Sequence, residues 1–191
     1  MKTLFFPLLL PLFAGCLSAH VPTVADWNVS ADLVPRSREA PSFGAARLSQ
    51  VVVSTPYDAR EMQVSRSDGT LAADAYNLFA AAPSRLLREP ARAILEATGR
   101  FKAVVGASSS ASVSHVVEVT VTDLRLDCSQ DAAAPGRREA VVEVRALVLD
   151  RDRNLAGLSR GAFRADARDG DFGAAFSKAF SRALGAAVAG L

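Results

Sequence analysis

The chain is predicted to fold as an α+β domain: a mainly antiparallel sheet with two amphipathic helices packed on one face. Three observations carry that expectation. Between residues 113 and 165 three strands of alternating apolar and polar residues follow one another through short polar loops, the pattern of an antiparallel meander. Two segments, one ending at Gly99 and one running to Leu191, repeat their apolar residues at helical spacing. Half of the 191 residues are apolar and the formal net charge is only +2. That suits a single domain with a real core and gives no reason to expect a nucleic-acid or other polyanion partner.

Residues 1–16, MKTLFFPLLLPLFAGC, set one lysine before an apolar run and close on small residues and a cysteine. This is the form of a secretion signal, too short for a permanent bilayer span. Leu12, Phe13, Ala14, Gly15 and Cys16 resemble the bacterial lipobox, with Phe13 where leucine is usual. The small side chains suit cleavage before Cys16, whose thiol is the nucleophile that takes the lipid. Two alternatives stay open: an ordinary signal peptide cut after Ala19, and an uncleaved anchor. The lipobox reading divides the chain into a signal peptide at 1–15, a lipidated tether at 16–25 and a folded domain at 26–191. A lipidated Cys16 cannot pair with Cys128, which is then the sole thiol of the mature chain, buried or at a strand end.

Taking the folded part in order, Trp27 and Val29 alternate with polar neighbours as a first or edge strand would. A proline-bounded loop covers 35–41. A strand at 47–54 ends before Pro56, and a turn with a short strand covers 57–66, followed by the turn residues Ser67, Asp68 and Gly69. From Ser84, the residues Leu87, Ala91, Ile94 and Leu95 define a buried helical face, and Gly99 supplies a left-handed cap. Pro90 sits inside this pattern, where proline is tolerated only in a first turn, so the helix is expected to begin nearer Glu89. A strand at 101–105 follows, then a Ser-rich hairpin connection at 106–114. The meander strand at 113–127 alternates through Val117, Val119 and Val121 and changes phase at Leu124, which predicts a bulge near Asp123. After a loop at 130–136 come a strand at 138–149, a charged turn at 150–154 and a strand at 155–165. The last helix carries Phe172, Phe176, Phe180, Leu184, Ala187, Val188 and Leu191 as one stripe. The polar alternate residues of the meander are expected to line the other side of the sheet, open to water or a partner.

The lipobox, the segment VVVSTPYDAREMQVSR, the Tyr76 to Pro83 segment, the helix RLLREPARAILEATGRFKAV and the closing amphipathic helix are similar, in this order, to the ABC-type transport auxiliary lipoprotein components, which include the lipoprotein partner of the paraquat-inducible transport system. The resemblance covers nearly the whole mature chain. Its departures are Phe79 where the family often has tryptophan, Ser84 in place of a second proline, and Pro90 within the helix. The resemblance implies a lipoprotein facing the periplasm. It would serve as accessory subunit to an ABC transporter and a mammalian-cell-entry-type substrate-binding subunit that move phospholipid or another hydrophobic solute between membranes. Leu17 after the cysteine, where aspartate would suggest inner-membrane retention, favours the outer membrane. Expected partners are the membrane through the lipid anchor, those transporter subunits, and further copies of the chain in a homo-oligomer.

Tyr57, Arg60, Arg66, Tyr76 and Phe79 are the candidate partner-binding residues, since they lie in the family-like motifs beside turns. The alternative for each is a core aromatic or a solvated arginine. No enzyme is expected: His20 and His115 have no nucleophile-elbow or triad context, and no phosphate-loop lysine is present. Two histidines and one thiol lack metal-ligand spacing, so neither a metal nor another cofactor is expected. Two other functions stay open, a lipoprotein that itself carries lipid in a groove between sheet and helices, and an envelope assembly lipoprotein.

Overall fold

The computed structural model describes residues 23–32, 40–129, 138–168 and 170–191. The signal peptide, Cys16, most of the tether, most of the 35–41 loop and the loop at 130–136 lie outside the described residues. Within them, eight strands form one mixed sheet accompanied by three helices, an α+β arrangement.

The sheet is organised on β6 (His115–Asp127), whose Val117, Val119, Val121, Leu124 and Leu126 are buried. Its period of two breaks where the register against β7 (Arg138–Leu149) shifts between Val121 and Asp123, the bulge that the phase change predicts. β7 continues antiparallel into β8 (Leu155–Ala167). The tight turn between them is held by Asp150 Oδ1, which accepts the backbone N–H groups of Asp152 at 2.9 Å and Asn154 at 2.8 Å.

On the other edge of β6 two strands lie end to end. β2 (Ala46–Val53) runs parallel to its first half and β3 (Glu61–Ser65) parallel to its last residues. β3 turns back antiparallel into β4 (Leu71–Phe79), and β1 (Ala25–Trp27) adds in parallel to β4. The sheet is therefore antiparallel along its longest ladders and parallel at four pairings. β4 has no sequence-based counterpart: in LAADAYNLF only Phe79 is buried, so the run lacks the alternation that marks a half-buried strand.

β5 is reduced to Val104–Val105 and lies parallel to β2. Since β2 is flanked by β5 and β6 and runs parallel to both, residues 106–114 are a crossover and not the expected hairpin connection. Arg47 ties this crossover down by donating to the carbonyls of Ser109 at 3.0 Å and Ala111 at 2.6 Å.

The helical segment after β4 is broken into α1 (Pro83–Leu86) and α2 (Arg88–Ala97). Pro90 falls in the first turn of α2, where its missing N–H costs nothing, which is why the helix begins at Arg88 instead of running on from Ser84. Gly99 takes φ 71° just after α2, as its sequence position suggests.

α3 (Phe172–Ala189) lies against β7 and β8 and touches α2. Its expected stripe is buried except for Leu191, which packs at the core margin. The stripe understates the burial, because small residues on its flanks are covered too. A Cβ at Gly161 of β8 would meet the backbone of Ala183 and stand 2.7 Å from Ala187 N. Ser177 and Ser181 accept the backbone N–H groups of Ser30 at 2.9 Å and Asp32 at 2.8 Å, so the chain after β1 runs along the helix. No helix among the described residues is long and apolar enough to cross a membrane.

Candidate functional site

The sheet face opposite α3 carries the outward residues of β6, β7 and β8 and includes a connected set of charges. Asp127 at the end of β6 is nearly buried, at 8% exposure. Its Oδ1 accepts from the backbone N–H of Ser129 at 2.9 Å and the hydroxyl of Ser65 on β3 at 3.2 Å, and its Oδ2 accepts from the Arg164 guanidinium on β8 at 2.8 Å. Arg164 also donates to Glu139 of β7 at 3.1 Å, so one guanidinium joins three strands. Arg125, two residues before Asp127 on β6, pairs with Asp123 at the bulge. Burial pushes the Asp127 carboxyl up, but the hydrogen bonds from Ser129, Arg164 and Ser65 outweigh it and hold the group far below the usual carboxylate range. The same contacts raise the Arg164 pKa, with its bonds to Asp127 and Glu139 as the main causes.

Two shallow grooves meet at Arg125. One, of about 390 Å³, is lined by Tyr57, Arg66, Leu71, Arg125, Asp127 and Ser129 among others. The other, of about 550 Å³, crosses β6 to β8 between Asp123, Glu143, Ala162 and Arg164. The Asp127 carboxylate is an acceptor engaged by arginine and serine, so this part of the face offers fixed charge and hydrogen bonds. Among the described residues no group of three His, Cys, Asp or Glu side chains could hold a metal ion.

The five sequence-based candidates do not form one surface. Tyr57 and Arg66 line the smaller groove together. Tyr57 is half-buried and leans on the core, whereas Arg66 is exposed and also borders a neighbouring recess with Asp74, Cys128 and Arg138. Arg60 is a clamp: its Nε donates to the Phe79 carbonyl at 3.0 Å and its terminal nitrogen to Asp26 at 2.8 Å, which binds β1 against β4. Tyr76 is 49% exposed on β4, where it stands apart from the groove-lining residues. Phe79 is 1% exposed, with its ring 5.2 Å from Phe176 in edge contact, so it belongs to the core and not to a partner surface. Cys16 lies outside the described residues. Cys128 sits half-buried just past β6, its backbone N–H bonded to the Ser65 carbonyl at 2.9 Å.

Sequence reading singles out neither Asp127 nor Arg164, because their strands are separated by β7 and only the register brings them together. The available signal is the polar alternation of the meander, which places both residues on its outward side. Where α3 crosses β8, the close approach at Gly161 brings helix and strand into backbone contact.

No protein-family model and no curated protein matches the chain. Solved structures do. A Xanthomonas campestris protein described as DUF330 aligns with a TM-score of 0.63 at 17% identity, over 86% of this chain and 90% of that one. An uncharacterised protein aligns with a TM-score of 0.55 at 16% identity, over 87% and 95% of the two chains. These likenesses show a shared fold. The PelC dodecamer from Paraburkholderia phytofirmans, with a TM-score of 0.39 at 14% identity over 78% and 92%, is too loose a match to carry an argument.

Proposed function

We propose that the protein is a lipid-anchored accessory subunit of an ABC-type, mammalian-cell-entry-linked transporter that moves phospholipid or another hydrophobic solute between membranes. It would be held through Cys16 with its domain facing the periplasm, on the outer membrane. The observation that carries this reading is the fixed Asp127, Arg164 and Glu139 network beside the Tyr57 and Arg66 groove. Charges immobilised across three strands favour recognition of a folded partner, because little side-chain freedom is lost when it docks. The lipobox-like residues 12–16 supply the anchor, and the Arg60 clamp at β1 fixes the point where the tether joins the domain.

We also infer that α2 and α3 cover one face of the sheet, since they touch each other and share one core cluster through Ile94, Leu95, Phe176 and Phe180. The opposite face is then the one offered to the partner.

Affinity purification of the full-length protein from membranes tests the reading. Co-recovery of a transporter ATPase, permease or mammalian-cell-entry-type subunit is expected, and recovery without any of them overturns it. Replacing Cys16 by Ala should release the protein from the membrane fraction and remove the lipid mass; an unchanged fraction and mass would remove the anchor from the proposal.

A further inference from the structure

β8 closes one side of the sheet. It pairs with β7 and with no other strand among the described residues, which leaves one edge of a 13-residue strand open, without a proline in it. Unpaired backbone N–H and C=O groups along such an edge are a template for another strand. The charges on β8 are poorly placed for a lone copy. Across β7, Arg160 stands directly opposite Arg145, and Asp166 directly opposite Glu139. Like charges in that position destabilise a sheet. Glu139 is paired with Arg164, whereas Arg160 and Asp166 have no ion-pair partner among the described residues, and both are exposed. Phe163 lies midway between them, half-buried at the margin of the core.

We propose that the open edge of β8 pairs with β8 of a second copy of this chain, antiparallel, about a two-fold axis passing through Phe163. Ladder length and charge together discriminate among the two-fold registers. Centred on Gly161, the pairing sets no charge against another, and centred on Ala165, it sets Arg164 against Asp166 but pairs only residues 163–167 of the strand. Centred on Ala162, the pairing sets Arg160 against Arg164 of the other copy, twice. Centred on Arg164, it sets the two Arg164 side chains against each other and Arg160 against Arg168. Centred on Phe163, it sets Arg160 of each copy opposite Asp166 of the other, with Gly161 opposite Ala165 and Ser159 opposite Ala167. Of these registers it alone joins opposite charges over a longer ladder, residues 159–167 of each copy. It answers Arg160 of one copy with Asp166 of the other and brings the two half-buried Phe163 rings together on the face that carries α3. The two sheets then run on as one, and the interface is isologous, the same strand serving both sides. The proposal stands whether or not the protein serves a transporter.

The test uses the full chain, solubilised from membranes in detergent, with its mass followed by sedimentation equilibrium against concentration. Wild type should sediment as even multiples of the chain. Arg160→Asp and Asp166→Arg each turn two attractions into two repulsions, so each should raise the dissociation constant by about tenfold or more. The double exchange R160D/D166R restores both pairs and should recover the wild-type value. Both positions are exposed, and an unchanged far-ultraviolet circular dichroism spectrum shows that the variants fold. A wild type that stays single at all concentrations overturns the proposal. So does an association that both single variants leave untouched, which would assign the contact to another surface, or one that the double exchange fails to rescue.

Discussion

Arg164 on β8 reaches across the whole of β7 to hold Asp127 on β6, with 2.8 Å between guanidinium and carboxylate. The pair links the first and last strands of the meander at the end where Ser65 of β3 also joins it. Since the Asp127 carboxyl is held below its unfolded value of about 3.9, its contribution to stability is fully present above about pH 4. That contribution fades as the pH falls from there through the lowered folded value. Asp127→Asn should therefore cost about 1–3 kcal/mol at neutral pH, and flatten the loss of stability on acidification. Denaturant unfolding at a series of pH values from 7 to about 2 checks both. A variant whose acid profile parallels that of wild type would show that the network is not linked to folding.

Gly161 is where helix and sheet come closest. Gly161→Ala puts a methyl group against the backbone of Ala183, which cannot turn aside as a side chain would. Helix and strand must separate, and the expected loss is about 1–3 kcal/mol or more. Gly106 provides the control, since nothing lies within 4 Å of a Cβ there. Gly106→Ala should leave the unfolding midpoint nearly unchanged. Equal effects at the two positions would mean that the close contact is not what requires glycine.

Ser177 and Ser181 are four residues apart on α3, and each hydroxyl accepts one backbone N–H from the segment that follows β1. Replacing both by Ala leaves the Ser30 and Asp32 N–H groups without these acceptors, at about 1 kcal/mol each. The expected outcome is faster amide hydrogen exchange at residues 30 and 32 with little change on β6 and β7. Uniform acceleration across the sheet would instead show that the segment unfolds together with the whole domain.

How far the sequence reveals this structure depends on the range of the forces involved. The bulge at Asp123, the helix start set by Pro90 and the Gly99 cap are local, and each is marked by a residue type or a phase change in its own segment. The parallel pairings of β2 with β5 and β6 are not, because they depend on a crossover whose Ser-rich sequence reads equally well as a hairpin. The candidate site divides the same way. Phe79 and Arg60 lie in conspicuous motifs, yet the motif serves packing: one ring fills the core against Phe176 and one guanidinium clamps β1. The charged network is spread over four strands, so no window of sequence contains it.

Arg66 and Arg60 separate recognition from scaffold. Arg66 is exposed, borders two recesses and has no ion-pair partner among the described residues, whereas Arg60 holds two elements together. Arg66→Glu should therefore leave the unfolding midpoint within about 0.5 kcal/mol of wild type, while reducing co-recovery of transporter subunits from membranes, because reversing a rim charge acts on association. Arg60→Ala should do the opposite. It removes an ion pair and a hydrogen bond that secure β1, costing about 1 kcal/mol, and should leave partner recovery intact once the protein is folded. Measuring midpoint and recovery for both variants gives four values whose pattern is specific: loss of stability at Arg66 with unchanged recovery would place the partner surface away from the Tyr57 groove.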